Sequence, residues 1–180
     1  MGVIRSATGP LLVLVRHGQC RSNIRFELST YRESNDVLTL LGRRQSLAAA
    51  KMLVKLLPSR NANSLVCSTL IRAVQTADII APRIRRLSGT ETDVRLEEKS
   101  DKETWAMFRR RVRAAIVSAR RLPHHVICVT HGHVIQAVLA DALGIPMSNA
   151  RNLCPANCGL TILQNDKLVA YNLHEHLLRL

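Results

Sequence analysis

The chain has 180 residues, of which 47% are apolar and 3% aromatic, and its formal net charge is +13. This length fits one domain, and the scarcity of aromatic residues favours a core of Leu, Val, Ile and Ala, as in a helix-covered sheet. The longest apolar run near the start, residues 11–15, is too short for a membrane span or a signal-peptide core. We therefore expect one cytoplasmic domain over residues 1–180, with no membrane contact.

The apolar pattern predicts strands that alternate with helices along the chain. Taken in order, the predicted elements are a strand at 11–15, a helix at 42–57, a strand at 65–67, a helix at 70–81, a helix from Ser100, a strand at 126–129, a helix at 133–143 and a hairpin of 159–164 with 167–173. Pro58, Pro82 and Gly144 mark helix ends, and Ser100-Asp101-Lys102-Glu103 has the form of a capping box. Repeated alternation predicts an α/β fold: a three-layer sandwich whose mostly parallel central sheet is flanked by helices.

Two predicted strands end in the same unusual pair of residues. His17-Gly18 follows the first strand, directly after Arg16, and His131-Gly132 follows the strand at 126–129. In open α/β sheets, ligands bind beyond the carboxyl ends of the strands. A third strand end leads through Ser68 to Arg72, in the first turn of the next helix. These residues are therefore expected to meet in one pocket.

The chemistry of this set suits a phosphoryl group. Guanidinium groups match phosphate oxygens in bidentate fashion and remain charged at any relevant pH. A neutral imidazole is a competent nucleophile toward phosphorus, and nearby arginines disfavour its protonated form. The negative charge that builds up on phosphorus during attack is stabilised by cations placed in advance. The sequence predicts a phosphoryl-transfer site that requires no metal or cofactor.

Five ordered elements resemble one known family. They are Arg16-His17-Gly18 with Asn23 (RHG-x-x-x-x-N), residues 38–45 (L-T-x-x-G-x-x-Q), residues 68–77 (S-x-x-x-R-A-x-Q-T-A), the His131-Gly132 block and residues 157–163 (N-x-x-x-T-x-L). Together they resemble the histidine phosphatase, or phosphoglycerate-mutase-like, superfamily and span nearly the whole chain. The resemblance implies that His17 becomes phosphorylated, that Arg16, Arg72 and His131 bind the phosphoryl oxygens, and that Asn23 helps to line the pocket.

The resemblance also implies a carboxylic acid that protonates the leaving oxygen, in an L-x-E element. Leu96-Glu97-Glu98 places Glu98 in that register, with Glu97 as the alternative. Many relatives continue with a G-x-W-E-G element that covers the pocket, whereas here Lys99-Ser100 follows at once. An open pocket favours a phosphomonoesterase that acts through a phosphohistidine over a mutase, which must exclude water. A phosphoglycerate-type mutase and a non-catalytic phosphate-binding regulatory domain are the alternatives.

The cysteines raise two further questions. Five thiols with no paired framework indicate a reducing compartment. Cys154 and Cys158 have a spacing that a metal could use, but no second pair completes a site, so packing is the preferred interpretation. Metal-dependent hydrolysis through His131 and His133 lacks an evident carboxylate partner. Cys20 stands where relatives more often have a hydroxyl residue, so it is expected among the substrate-binding residues, and the preferred interpretation is a passive replacement of that hydroxyl. The alternative hypothesis is that its closeness to phosphate-binding cations lowers the thiol pKa, so that oxidation or alkylation would inhibit the protein.

The positive charge favours anionic partners: a phosphorylated small molecule or a phosphoprotein. Arginine runs at 83–86 and 109–113 are expected mostly on solvated helix faces. Nucleic acid is the less favoured partner, because the aromatic residues near the runs, Trp105 and Phe108, have a helical spacing that suits the core.

Overall fold

The computed structural model describes residues 9–24, 36–57 and 63–178. Six strands in this part of the chain form one sheet: β1 (Leu11–Arg16), β2 (Asn63–Cys67), β3 (Leu87–Thr92), β4 (His125–Thr130), β5 (Leu160–Gln164) and β6 (Lys167–Leu173). Their order across the sheet is β3-β2-β4-β1-β5-β6. Strands β3, β2, β4 and β1 run parallel, whereas β5 pairs antiparallel with both β1 and β6.

Helices cover both faces of this sheet, which confirms the predicted three-layer α/β fold. The α-helices are α1 (Arg21–Ile24), α2 (Leu40–Leu56), α3 (Ile71–Ile80), α4 (Trp105–Arg120), α5 (Gly132–Leu143) and α6 (Met147–Ala150). Short 3₁₀ helices occur at Ala81–Arg83, Val94–Leu96 and Glu175–Leu177. Helices α2 and α3 pack in the core on one face, and α4 and α5 pack in the core on the other.

Strand β1 shows why a continuous apolar run marks a central strand. Leu11, Val13 and Val15 point into the core beneath α2 and α3. Leu12 and Leu14 point into the core beneath α4 and α5. Since side chains alternate between the faces of a strand, burial on both faces requires apolar residues at every position.

The observed helix α4 starts later than predicted. It begins at Trp105, and the hydroxyl of Thr104 accepts a hydrogen bond from the Met107 N–H at 3.2 Å. The Ser100 N–H donates to the Glu103 carboxylate at 2.9 Å. Half of the predicted capping box therefore forms, but it closes a turn before the helix instead of capping it. The predicted stop of α2, Pro58, lies outside the described residues.

The second arginine run is more strongly paired than predicted. Arg109 and Arg113 both donate to Asp141, at 2.6 and 2.8 Å, on the neighbouring helix α5. Arg111 pairs with Glu103 at 2.5 Å and also donates to the Glu97 carbonyl at 2.8 Å. These three arginines therefore hold α4 against its neighbours and are not merely solvated. None of the helices in the described ranges has the length and apolar character that crossing a membrane requires.

Candidate active site

The carboxyl ends of β1, β2 and β4 lie side by side and deliver three polar residues to one edge of the sheet. His17 follows β1, and its N–H donates to the Thr130 carbonyl at the end of β4 at 2.8 Å. Ser68 follows β2, and its hydroxyl lies 2.8 Å from His131 Nε2. The imidazole rings of His17 and His131 have centroids 5.1 Å apart. The two histidines predicted from the strand ends therefore share one pocket.

The environment of His17 keeps its ring neutral. The side chain is 3% exposed, and its Nδ1 lies 2.8 Å from the Gly18 carbonyl. Since a carbonyl only accepts, this contact favours the tautomer with the proton on Nδ1 and the lone pair on Nε2. Burial lowers the pKa of His17 to about 3, and the positive charges of Arg72 and Arg16 act in the same direction. At neutral pH, Nε2 is therefore available as a nucleophile.

Two guanidinium groups lie beside His17 and are themselves largely removed from water. Arg72, in the first turn of α3, is 4% exposed and pairs with Asp36 at 3.7 Å. Arg16 donates through Nη1 to the Pro155 carbonyl at 2.7 Å. Its Nε is buried and has no hydrogen-bond partner among the described residues. An oriented donor without an acceptor is what an oxyanion ligand would satisfy.

Glu98 reaches the same pocket from the segment that follows β3. A Cβ built at Gly132 would lie 3.9 Å from Arg16 Nε and 4.0 Å from Glu98 Oε2, so these two groups flank Gly132. Burial opposes ionisation of Glu98, but the hydrogen bond from His133 and the nearby His131 hold its pKa well below the usual range. His133 Nδ1 lies 3.0 Å from Glu98 Oε1. The carboxylate is therefore ionised when no ligand is bound.

The alternative acid, Glu97, has different surroundings. Its carboxylate accepts a hydrogen bond from the Thr69 hydroxyl at an exposed position. Its backbone carbonyl is held by Arg111, which also donates to the Glu98 carbonyl at 3.1 Å. The arginine thus fixes the segment that carries both acids. Of the two carboxylates, Glu98 is the one beside Arg16.

Asn23 and Cys20 lie in the segment that follows His17 and form hydrogen bonds with each other. Asn23 Oδ1 accepts from the Cys20 N–H and thiol, both at 3.2 Å, and from Asn157 Nδ2 at 3.1 Å. Asn157 also donates to the His17 carbonyl at 2.9 Å. The prediction of a lowered thiol pKa is wrong: burial, together with the Asp36 carboxylate, raises the pKa of Cys20 to about 11. Cys20 is fully buried, so it has neither the exposure nor the ionisation of a reactive thiol.

Several residues of the family elements hold backbone groups near His17. Thr76 Oγ1 accepts from the Gly18 N–H at 3.0 Å, and Gln45 Oε1 accepts from the Gln19 N–H at 2.8 Å. Gln75 Oε1 accepts from the Leu38 N–H at 2.9 Å. These side chains satisfy buried donors in the loops that carry His17 and enter α2. These residues occur in the sequence elements, but only the structure shows that their side chains accept hydrogen bonds from backbone N–H groups.

Ser68, His133 and Asn157 are site residues that the sequence-based assignment of roles omitted. Ser68 and Asn157 occur within the family elements, so a signal for them was present. His133 had been considered only as a metal ligand. It contacts Glu98, whereas His131 contacts Ser68, and no cluster of three metal-binding side chains occurs in the ranges the structure describes.

The chain belongs to the histidine phosphatase superfamily (branch 1), which matches residues 12–100 and 85–169. Among curated proteins, it is similar to the probable phosphoglycerate mutase GpmB of Yersinia enterocolitica, with 29% identity over 82% of this chain and 81% of the relative. The corresponding protein of Proteus mirabilis is 27% identical over the same shares. The family predicted from the sequence elements is thus confirmed.

Solved structures show the same fold. A mutant phosphoserine phosphatase of Entamoeba histolytica, in complex with phosphoserine, superposes with a TM-score of 0.75 at 17% identity, over 94% of this chain and 100% of that one. A mycobacterial glucosyl-3-phosphoglycerate phosphatase in complex with VO₃ gives a TM-score of 0.69 at 23% identity, over 92% and 100%. At these identities the likeness establishes the architecture, not the substrate.

Proposed function

We propose that this protein is a phosphomonoesterase that transfers the phosphoryl group of its substrate to His17 and then to water. The observation that carries the proposal is the buried, neutral His17 ring with Arg16 and Arg72 beside it. Superfamily membership supports phosphoryl transfer in general. The substrate would be a phosphorylated metabolite or a phosphorylated side chain of a protein.

In the first step, the lone pair of His17 Nε2 attacks phosphorus and the bond from phosphorus to the ester oxygen breaks. The hydrogen bond to the Gly18 carbonyl orients the ring and disperses the positive charge that develops on it. Arg16, Arg72 and His131 bind the phosphoryl oxygens, and the unused Nε of Arg16 is one donor for them. Asn23 acts less directly, because Asn157 links its amide oxygen to the His17 carbonyl.

Glu98 carries the proton for the leaving oxygen. It is ionised before substrate binds, but a phosphate dianion placed beside it raises the pKa of a carboxyl group. The proton enters through the pair that Glu98 forms with His133, which is partly exposed to solvent. In the second step, water attacks the phosphohistidine, Glu98 accepts the proton of that water, and the bond between phosphorus and nitrogen breaks to release phosphate.

The short connection after Glu98 favours hydrolysis over mutase activity. Residues 99–104 lead directly from Glu98 through a turn into α4. A mutase must retain its intermediate while excluding water, and this segment is too short to add a cover at that point. Phosphoglycerate-type mutase activity remains the second candidate, because the curated relatives carry that name.

Hydrolysis of 4-nitrophenyl phosphate by the wild type and by His17→Ala, with chelator present, tests the proposal. We expect phosphate release by the wild type and a loss of at least about 10³-fold in kcat for the variant. The exposed His174 provides a matched control, and His174→Ala should keep full activity. Acid-labile, base-stable phosphate on the wild type during turnover would identify the phosphohistidine.

Three outcomes would contradict the proposal. Unchanged hydrolysis by His17→Ala excludes His17 as the nucleophile. If the wild type releases no phosphate but takes up label on His17 from a bisphosphate and passes it to a monophosphate, the mutase is the correct assignment. A protein that binds phosphate and performs neither reaction would be a regulatory binding domain.

A further inference from the structure

A group of basic and aromatic side chains lies immediately beyond Glu98. The Trp105 ring, at the start of α4, has the Lys99 ammonium 5.0 Å from its centroid and the Arg151 guanidinium at the same distance. The His133 ring meets Trp105 edge-on, with centroids 5.3 Å apart. Since His133 also contacts Glu98, this group adjoins the side of the pocket where the leaving group must depart.

The two cations differ from the three paired arginines of α4. Within the described ranges, Arg109, Arg111 and Arg113 all pair with carboxylates, whereas neither Lys99 nor Arg151 forms an ion pair. Lys99 donates to the Ser100 carbonyl at 2.9 Å, which holds the ammonium without neutralising it. Contact with an aromatic face likewise fixes the position of a cation and leaves its charge available.

We propose that Lys99 and Arg151, positioned by Trp105, form a subsite for a second anionic group on the leaving portion of the substrate. This inference rests on the phosphoryl-transfer function proposed above and narrows its substrate class. The preferred substrate is a phosphate monoester whose alcohol carries a carboxylate or a further phosphate. A neutral alcohol would leave both cations uncompensated at the edge of the pocket.

The position of the subsite also explains how it can coexist with Glu98. Glu98 is an anion when the pocket is empty, so a second anion approaching it directly would be repelled. His133 contacts Glu98, and Trp105 contacts both His133 and Arg151, so two rings connect the carboxylate to the Arg151 end of the subsite. The subsite therefore selects charge on the alcohol without disturbing the group that protonates its oxygen.

Binding measurements on a protein that cannot turn over test this subsite. In the His17→Ala background, the affinities of 3-phosphoglycerate and glycerol 3-phosphate are compared by titration calorimetry. These ligands share the phosphate and differ in a carboxylate against a hydroxymethyl group. We expect 3-phosphoglycerate to bind about tenfold more tightly, and Arg151→Met with Lys99→Met to reduce the preference to about twofold.

Arg110→Met is the matched control, since it removes an exposed arginine from α4 away from Trp105. It should keep the tenfold preference, which separates a local subsite from the overall positive charge. Equal affinity for the two ligands, failure of 3-phosphoglycerate to bind, or a preference that survives the double substitution would overturn the subsite. Turnover of 4-nitrophenyl phosphate, which has no second phosphate or carboxylate, tests the function itself, so the two failures are distinguishable.

Discussion

The two sides of the pocket are built in different ways. On the side of His17, the proposed nucleophile, side chains from α2 and α3 bind backbone N–H groups of the loop that follows β1: Gln45 binds that of Gln19, and Thr76 binds that of Gly18. On the side of the leaving group, Arg111 holds the backbone carbonyls of Glu97 and Glu98, but contacts between side chains are added to it. Glu98 pairs with His133, and His133 packs against Trp105.

This difference determines where the protein's specificity can reside. A buried backbone N–H group requires an acceptor at one fixed position, so few side chains can replace the one that provides that acceptor. Such residues therefore form a recognisable element in the sequence. Contacts between side chains can be remade by many residue combinations. We infer that the first side fixes the reaction and that the second side selects the alcohol of the substrate.

The largest expected effect comes from Glu98→Gln, which removes the proposed proton source and keeps the size of the side chain. We expect kcat/KM for glycerol 3-phosphate to fall by about 10²–10⁴-fold, because an alkoxide is a poor leaving group without a proton. For 4-nitrophenyl phosphate the loss in kcat/KM should be under about tenfold, because nitrophenolate leaves without protonation. Parallel kcat/KM measurements on the two substrates check this, since kcat/KM reports transfer of the phosphoryl group to His17 and excludes the later hydrolysis, in which Glu98 acts as a base.

Glu97→Gln is the matched control for that experiment, and it should leave both rates within about twofold of wild type. An equal loss with both substrates would show that Glu98 acts in phosphate binding or in structure, not as the acid. A large effect of Glu97→Gln confined to glycerol 3-phosphate would transfer the role to Glu97.

The same difference explains what could be predicted from the sequence. The nucleophile side was predictable, because Arg16, His17, Arg72 and His131 follow buried strands or start a helix, and parallel strands bring such ends together. The central strands were predictable because burial on both faces requires unbroken apolar runs. His133 was not, since its partner Glu98 is 35 residues distant along the chain.

Strand β3 and Cys20 show two other limits. β3 is an edge strand, paired only with β2 and mostly exposed, so its sequence Leu-Ser-Gly-Thr-Glu-Thr has no apolar pattern. Yet this strand leads to the segment that delivers Glu98. For Cys20, closeness to arginines suggested a lowered pKa, but burial and the Asp36 carboxylate prevail. Whether desolvation or nearby charge determines the pKa depends on how deeply the thiol is buried, which cannot be read from the sequence.

A second prediction tests how closely the nucleophile side is packed. A Cβ at Gly42 would collide with the backbone of Gln19, whereas a Cβ at Gly89 would have no atom within 4 Å. We expect Gly42→Ala to lower the free energy of unfolding by about 3 kcal/mol, since backbone atoms cannot yield as a flexible side chain can. Activity should fall as well, because the displaced loop carries His17.

Chemical denaturation of Gly42→Ala and Gly89→Ala side by side measures the effect. Both substitutions add the same methyl group, and Gly89→Ala should change the free energy of unfolding by less than about 0.5 kcal/mol. If the two variants lose stability equally, the close approach of the Gln19 backbone to Gly42 does not determine the conformation of the loop that carries His17. A stable Gly42→Ala protein with full activity would lead to the same conclusion.

The smallest expected effect concerns pH and follows from the low pKa of His17, which is about 3 in the folded protein. In the unfolded chain a histidine has a pKa near 6.5, so the unfolded state binds the additional proton. This contribution to stability is present above pH 6.5 and is lost as the pH falls toward 3. Between pH 7 and pH 5 the loss amounts to about 2 kcal/mol.

His17→Asn removes the titrating ring. From pH 7 to pH 5, the free energy of unfolding of the wild type should therefore fall by about 2 kcal/mol more than that of the variant. Denaturant titrations at both pH values provide the comparison. Glu98 contributes little in this range, because its lowered pKa makes its contribution disappear only at more acidic pH. Parallel pH profiles for wild type and His17→Asn would mean that the nucleophile is not held neutral by burial. The two sides of the pocket would then not differ in charge as described above, with an uncharged His17 on one side and an ionised Glu98 on the other.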